Sequence, residues 1–344
     1  RSMRLSTSSS SERVPLGGWL HTWLIAFAVT ATLVAGWEGF IRARGLGDVA
    51  VTDSAELWIG ERARAAALGD NALVLVGASR MQGGLDLDVL REVTNLQPVQ
   101  LAITGTAFVP VLRHLAADPA ITGTVLVSMD MPALRIVNDA SQAELWTVAY
   151  DDFKSGRTAV FYQPLEDWFR AAVDALLVSF SRNARPHQLI LAKTSASYVR
   201  TFPDRSQLID YSKVDIEAAH QRRLQLAGPG ATEPSFFEIT GIDDKFAEVL
   251  ELVDVIQARG GRVVFVRLPS AKRRREIEDI MYPRDAYWDR FAALTDARTI
   301  HYADYPALEA FDPPDGVHLD ASQRAPFTEA LAEILVSGGE TTRP

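Results

Sequence analysis

The chain contains no cysteine. Disulfide bonds, zinc sites with thiolate ligands and a cysteine nucleophile are therefore excluded. The histidines do not show the close spacing of metal ligands, and no glycine-rich phosphate-binding fingerprint occurs in the sequence. We therefore expect neither a metal ion nor an organic cofactor.

An excess of positive charge is also missing, because the net charge is −9 at pH 7. No basic face of the kind that binds nucleic acid dominates the sequence, so a nucleic-acid partner is not expected. One compact basic run, Lys272–Arg275, is typical of a solvated helix face. The alternative is that this run binds an anionic polymer or a lipid phosphate.

One long hydrophobic run lies near the start of the sequence. It extends from Trp19 to Phe40 with a single charge, Glu38, near its far end, and tryptophans lie close to both ends. Roughly 20 apolar residues span a bilayer as a helix, and tryptophan is enriched at its interfaces. We interpret 19–41 as a transmembrane anchor and 1–18 as a flexible tail. The alternatives are a buried core helix or a cleaved signal peptide, although no clean small-residue cleavage site follows.

The basic residues around the anchor are nearly balanced, with Arg4 and Arg13 before it and Arg42 and Arg44 after it. Our interpretation is that the N-terminus lies in the cytoplasm and that 42–344 is exported. This orientation predicts a single-pass protein of the inner (cytoplasmic) membrane whose large domain faces the periplasm or the extracytoplasmic space.

Five short apolar runs have the character of strands covered on both faces, and helical patterns separate them. This alternation predicts an α/β fold with a doubly wound parallel sheet of about five strands. The predicted strands are 72–76, 99–103, 124–128, 262–268 and 299–302. The predicted helices are 56–67, 85–93, 109–117, 243–258 and 321–336, the last with Asp320 as N-cap and Gln323 in a capping box.

A long interval separates the third and fourth predicted strands. It covers about 135–240 and contains no strong strand pattern, so we interpret it as a helical insertion. Within it, Leu165–Phe180 has an apolar face opposed by charged residues. This pattern indicates either a helix packed on the core or one lying on the membrane or on a membrane partner.

Three residues of chemical interest follow predicted strands. Ser79 lies in the sequence GASR after the first strand, and Asp315 and His318 lie in DGVH after the last. Ligands bind beyond the carboxyl ends of the strands in an open parallel sheet. The alternatives are that Ser79 caps the next helix, that His318 is a structural histidine, and that Asp315 is a turn residue.

Together the three residue types would form a nucleophilic set. A serine hydroxyl is a weak nucleophile until a base accepts its proton, and a carboxylate can fix the tautomer of that base. Ser79 would attack, His318 would be the base, and Asp315 would orient it. The backbone N–H groups of Ser79 and Gly105, which follows the second strand in AITGTAF, are the candidate oxyanion donors. The α/β-hydrolase elbow is not matched, because position 81 is Met.

Three further polar residues are candidates for binding substrate. Arg80 adjoins Ser79 and either orients a substrate carboxylate or, the interpretation we favour, pairs with an acid such as Asp86. Arg267 ends the fourth predicted strand, and Asp130 follows the third. All three are therefore expected near the same edge of the sheet.

The sequence resembles the SGNH, or GDSL-like, hydrolase superfamily over roughly 70–135 and 241–337. GAS at Ser79 corresponds to the first conserved block of that family, Gly105 to the second, and DGVH at Asp315–His318 to the last. The resemblance implies a flavodoxin-like sheet and ester chemistry by a Ser-His-Asp set. The family's third block supplies an asparagine to the oxyanion hole, whereas this chain has VLVSMDMP, with Ser128 and Asp130, at that point.

The layout also resembles membrane-tethered SGNH-like proteins of alginate O-acetylation and teichoic acid D-alanylation. That resemblance implies acyl-ester transfer or removal on an extracytoplasmic polysaccharide or other cell-surface polymer. It also implies a multispanning membrane O-acyltransferase as partner, because one anchor helix cannot carry an acyl group across a bilayer. Two alternatives stay open, namely a tethered esterase or lipase that uses water, and a non-catalytic subunit that binds polymer or scaffolds a membrane complex.

Overall fold

The computed structural model describes residues 19–43, 51–131, 141–157, 198–218 and 241–337, with the separate positions 134, 173, 177 and 221. Its first helix, α1, extends over Trp19–Ala43. Within the described part of the chain it is the one helix long and apolar enough to span a membrane, with a mean hydropathy of 1.7 in its most apolar window. Only 11% of that window is buried, unlike a core helix.

Five strands correspond to those expected, and two further strands occur in the described residues. They are β1 Ala72–Val76, β2 Gln97–Gln100, β3 Thr124–Ser128, β4 Val199–Thr201, β5 Gln207–Ile209, β6 Arg262–Arg267 and β7 Arg298–His301. Five form a parallel sheet in the order β2-β1-β3-β6-β7, and β4 and β5 form an antiparallel hairpin. The expected α/β class and parallel sheet are confirmed, whereas the interval 135–240 is not free of strands.

The second strand begins earlier than predicted. The prediction of 99–103 rested on apolar residues, but the paired strand begins at Gln97 and ends at Gln100. Beyond it the backbone still bonds to the β1 segment, because the Leu101 N–H donates to the Leu75 carbonyl over 2.9 Å and the Ile103 N–H donates to Gly77. The apolar pattern thus identified the later, buried part of the segment and missed its first two paired residues, Gln97 and Pro98.

Ten further helices occur in the described residues. They are α2 Ala55–Leu68, α3 Ser79–Gly84, α4 Leu87–Thr94, α5 Val109–Ala116, α6 Gln142–Lys154, α7 Ile242–Ala258, α8 Lys272–Met281, α9 Arg290–Leu294, α10 Pro306–Glu309 and α11 Ala321–Ser337. Half of the predicted capping box at α11 is present, since the Asp320 N–H donates to Gln323 Oε1 over 3.1 Å, whereas the Asp320 carboxylate accepts the N–H of Ser322 instead of that of Gln323. Most of the predicted amphipathic helix 165–180 lies outside the described residues.

Helices cover both faces of the sheet, which explains why its strands are continuously apolar. On one face Val74 and Val76 of β1 join a core with α2, α5 and α7. On the other, Leu73 and Leu75 pack with α4 and α11. Each such buried aliphatic side chain contributes roughly 1.5–3 kcal/mol relative to exposure. The two cores hold the carboxyl ends of the strands in a fixed frame.

The start of the insertion belongs to the first of these cores. Trp146 and Tyr150 of α6 are buried there, and both rings lie 6.4 Å from that of Trp58. The Trp58 indole N–H donates to the Leu101 carbonyl over 3.1 Å, just beyond β2. The insertion therefore packs on α2, which in turn bonds to the segment that leads toward Gly105.

Candidate active site

Ser79 lies at the carboxyl edge of the sheet because the chain turns sharply after β1. Gly77 has φ +155°, and a Cβ there would lie 2.9 Å from the Cβ of Ser128 on β3. A side chain at position 77 would collide with the neighbouring strand, so glycine is required. Ala78 is then the N-cap of α3, and Ser79 is its first residue. Ser79 therefore does not cap the following helix α4, as one alternative held.

Asp315 and His318 are held together by a tight turn before α11. Asp315 Oδ1 accepts the backbone N–H of Val317 over 2.9 Å and that of His318 over 2.7 Å. Its other oxygen, Oδ2, lies 3.0 Å from Nδ1 of the His318 ring. Asp315 is thus both the turn residue of one alternative and the partner of the imidazole.

The structure brings Ser79 and His318 together although 239 positions separate them in the chain. Nε2 of His318 lies 2.8 Å from Oγ of Ser79. His318 and Asp315 are buried, whereas Ser79 is half-buried and lines a cavity. A hydroxyl, an imidazole and a carboxylate in this chain can activate the serine as a nucleophile, with proton transfer from Oγ to Nε2.

Gly105 lies in the loop that follows β2, on the same edge of the sheet. It is exposed and has φ +77°, a backbone conformation that favours glycine. The adjacent Thr104 lines the cavity of Ser79. At the first turn of α3 the Ser79 N–H has no partner within the helix, as holds for the initial amides of any helix.

The cavity beside Ser79 has a volume of about 330 Å³. Three of its lining residues, Val199, Gln207 and Ile209, come from the β4–β5 hairpin, so the insertion forms part of its wall. Asp53 also lines it, and sequence reasoning did not single it out. No sequence motif marks Asp53. Only the structure reveals its partner, the fully buried Arg205, 152 positions away in the chain.

The three predicted substrate-binding residues form a buried ion cluster. Arg80 donates to Asp130 over 3.3 Å and to Glu278 over 2.9 Å, and Arg267 pairs with the same two carboxylates. None of these three residues is among the described residues that line the cavity of Ser79. Their role toward substrate stays a prediction, while the structure shows that they pair with one another and with Glu278 beside Ser79.

The interpretation that Arg80 pairs with an acid is confirmed, but its partners are Asp130 and Glu278 rather than Asp86. Asp86 is the N-cap of α4 and accepts the N–H of Val89 over 3.3 Å, so its side chain is already used locally. The missed partner, Glu278, lies four residues after Arg274 in the basic helix α8 and pairs with it. The four-residue spacing predicts the local pair of Arg274 with Glu278, but it does not predict that Arg80 is a further partner.

Charge holds the ion cluster in its ionised form. Burial alone would raise the pKa of Glu278, but the positive charges of Arg80, Arg267 and Arg274 outweigh burial and hold that pKa well below its ordinary value. The cluster therefore ties α3, which begins at Ser79, to α8 through charges that persist at neutral pH.

The basic run Lys272–Arg275 forms the start of α8, as the helix-face interpretation predicts. Its side chains are exposed or half-buried and have partners within the chain. Lys272 donates to the Pro314 carbonyl over 2.6 Å, and Arg273 pairs with Glu276. These contacts favour a structural role over a site for an anionic polymer.

A second cavity of about 270 Å³ lies beyond β6 and β7 and is lined by Arg267 and His301. The Ala303 N–H donates to Nδ1 of His301 over 3.2 Å. Burial, together with the positive charges of Arg284 and Arg267, lowers the pKa of His301 to about 4. His301 is therefore neutral at physiological pH.

We expect His301 to make the fold sensitive to acid. Between about pH 6.5, the ordinary value of histidine, and about pH 4 the unfolded chain binds a proton that the folded protein excludes, so stability falls as the pH falls. The slope is at most about 1.4 kcal/mol per pH unit. Urea unfolding of wild type and His301→Gln, from neutral pH to about pH 5, should show a smaller acid loss in the variant. Parallel losses in both proteins would contradict this.

No protein-family model and no curated protein matches this chain at a significant level. Among the described residues, no group of three or more His, Cys, Asp or Glu side chains is arranged to hold a metal ion.

Proposed function

We propose that this protein is a membrane-anchored acyl-ester transferase or esterase of the SGNH-like type, acting on an extracytoplasmic polysaccharide or other cell-surface polymer. The observation that carries the proposal is the contact of 2.8 Å between Ser79 Oγ and His318 Nε2, with Asp315 3.0 Å from the other ring nitrogen. Residues so distant in sequence meet in this order in serine acyl-transfer enzymes.

Each proton in the proposed reaction has a place to go. Ser79 Oγ attacks the carbonyl carbon of the acyl ester and passes its proton to His318 Nε2, while Asp315 stabilises the charged imidazole. The ester C–O bond then breaks, and His318 returns the proton to the departing alcohol. In the second half, His318 takes a proton from an acceptor hydroxyl or from water, whose oxygen attacks the acyl-serine. The bond between the acyl carbon and Ser79 Oγ then breaks, and His318 returns the proton to Ser79 Oγ.

Two backbone amides are the proposed oxyanion donors, those of Ser79 and Gly105. The family's asparagine has no counterpart in VLVSMDMP, where Asp130 is engaged by Arg80 and Arg267. Losing one oxyanion donor costs other enzymes roughly 10²–10³-fold in kcat. We therefore expect slow turnover with simple esters.

The sheet order supports the flavodoxin-like assignment. Numbered along the parallel sheet alone, the observed order is 2-1-3-4-5, which is the flavodoxin-like order. The three matching blocks, at Ser79, Gly105 and Asp315–His318, follow the first, second and last strands of that sheet. This arrangement supports membership of the SGNH-like superfamily.

The anchor supports the proposed location and partner. Helix α1 has the length and apolarity of a single membrane span. We infer an N-terminus in the cytoplasm and a catalytic domain in the periplasm or extracytoplasmic space. Since α1 cannot itself translocate an acyl group, a transferase role requires a multispanning O-acyltransferase as donor.

Labelling with a serine-reactive phosphonate, followed by peptide mass spectrometry, tests the proposal. A single adduct on Ser79 in the folded full-length protein is the expected result. If Ser79 stays unlabelled, the enzyme proposal fails and a tethered scaffold or polymer-binding subunit replaces it. Release of free acetate with and without a polymer acceptor then separates hydrolysis by water from transfer.

We expect Asp315→Asn to lower kcat by about 10³–10⁴-fold, because an amide no longer stabilises the charged imidazole or fixes its tautomer. The measurement is the kcat for p-nitrophenyl acetate. Asp312→Asn is the matched control, since Asp312 is an exposed carboxylate in the same loop. A loss of less than tenfold in Asp315→Asn, or an equal loss in the control, would contradict the role of Asp315.

A further inference from the structure

The wall of the Ser79 cavity contains a chain of hydrogen bonds that joins Asp53, Gln82 and Thr104. The contacts of the buried Gln82 decide which group donates and which accepts in each of these bonds. Gln82 is fully buried, and its side-chain nitrogen Nε2 donates to Asp53 Oδ2 over 2.7 Å and to the Arg205 carbonyl over 3.0 Å. A carboxylate and a carbonyl can only accept. The orientation of the Gln82 amide is therefore unambiguous, with Oε1 as its remaining acceptor.

The next member of the chain is Thr104, which is exposed to the cavity. Its hydroxyl lies 2.8 Å from Gln82 Oε1 and must donate to it, because that oxygen has no proton to give. A threonine hydroxyl has one proton and two acceptor positions. With the proton engaged by Gln82, Thr104 can offer only lone pairs to a ligand.

Asp53 presents the same polarity to the cavity. Its carboxylate accepts from Arg205 Nε over 2.7 Å, from Arg205 Nη2 over 3.0 Å and from Gln82. A carboxylate has about four acceptor positions, so one stays open on its partly exposed side. Arg205 itself is fully buried and does not line the cavity. A ligand at this wall therefore meets acceptors rather than the positive charge behind them.

An aromatic ring completes the subsite. Trp146 lines the cavity beside Asp53 and Thr104 with the small part of its surface that is exposed, 7%, while the Arg205 guanidinium lies 5.2 Å from the ring centroid. Apolar surface next to a few fixed polar groups is the usual composition of a ligand pocket, and about 330 Å³ is at the small end of the usual range. A single sugar ring has the matching surface, with C–H groups on one face and hydroxyls at its edge.

We infer that Asp53, Thr104 and Trp146 form a subsite for a neutral, hydroxyl-bearing sugar ring and discriminate against a ring with a carboxylate. Hydroxyl groups can donate to Asp53 and Thr104, whereas a carboxylate has no proton to donate and is repelled by Asp53. The inference rests on the proposed function, since it names the class of sugar that would carry or receive the acyl group.

The test measures binding apart from catalysis. The full-length Ser79→Ala protein, in detergent, is titrated with methyl glucoside and with methyl glucuronoside, which differ only by a hydroxymethyl group against a carboxylate. We expect at least about tenfold tighter binding of the neutral glycoside, equal to about 1.4 kcal/mol. In the same background, Thr104→Val should weaken that binding several-fold, whereas Thr104→Ser, which keeps the hydroxyl, should not.

Three outcomes would overturn the inference: equal or tighter binding of the uronoside, no binding of either glycoside, or unchanged binding in the folded Thr104→Val protein. Failure of the proposed function has a different signature. It would appear as a wild-type protein that does not hydrolyse p-nitrophenyl acetate, an ester without any sugar, whatever the Ser79→Ala protein binds.

Discussion

We expect the Ser79→Ala variant to lose ester cleavage by about 10⁴-fold or more in kcat, because no other group then attacks the acyl carbon. The substitution removes one oxygen from a half-buried side chain and leaves the His318–Asp315 contact in place. Its effect on stability should therefore be small. The measurements are kcat for p-nitrophenyl acetate and the thermal midpoint of the same preparation.

Ser322→Ala is the matched control for that experiment. Ser322 is an exposed serine at the start of α11, close in sequence to His318, and its hydroxyl donates to Asp320 rather than to the imidazole. This control should retain wild-type kcat. Residual activity above one-hundredth in Ser79→Ala would assign the nucleophile to another group, since true nucleophile deletions cost far more.

Arg205→Met should produce the largest loss of stability among the changes considered. The Arg205 guanidinium is fully buried and donates to Asp53, to the Gln100 carbonyl over 2.6 Å and to the Ala102 carbonyl over 3.0 Å. Methionine fills similar space but leaves all three acceptors without that donor. Breaking a buried pair costs about 3–5 kcal/mol, and we expect about 3 because Asp53 is 17% exposed.

Urea unfolding measures this loss, with two variants for comparison. Arg273→Met removes an exposed arginine paired with Glu276 within one helix turn and should cost less than about 1 kcal/mol. Arg205→Lys keeps the charge without the planar fork and should fall between wild type and Arg205→Met. A loss below about 1 kcal/mol in Arg205→Met would show that water replaces the guanidinium.

Arg205→Met should also impair turnover. Gln100 and Ala102 lead into the loop that carries Thr104 and Gly105, so their release loosens one side of the cavity. The segment that follows the hairpin is also tied to the chain near His318. The Tyr211 N–H donates to Asp320, two residues after His318, over 2.9 Å. The insertion therefore braces the site.

Sequence patterning was sufficient for the sheet and for the placement of the nucleophilic set. Continuous apolar runs predict doubly covered strands, and parallel strands bring their carboxyl ends to one edge, so Ser79 and His318 could be assigned to the same edge before any coordinates. The second strand was misplaced by two residues at its start, because Gln97 pairs with Ala72 of β1 although it is polar.

Ion pairs between residues far apart in the chain could not be predicted from the sequence. An acidic partner for Arg80 could be predicted and Asp86 was the example offered, but the partner Glu278 lies 198 positions away. Which carboxylate faces a guanidinium depends on how helices cross the sheet, and no local pattern encodes that. The same holds for Arg205 and Asp53, which lie in the insertion and in the segment before α2.

By itself the sequence determined a membrane-length apolar helix, an α/β class and the strand ends at which Ser79, Gly105 and Asp315–His318 stand, because these follow from local composition and periodicity. Only the tertiary structure decided the 2.8 Å contact of Ser79 with His318, the ion cluster behind Arg80 and the acceptor-lined wall at Thr104. Hydrogen bonds act over about 3 Å, and that proximity exists only after distant segments have packed against one another.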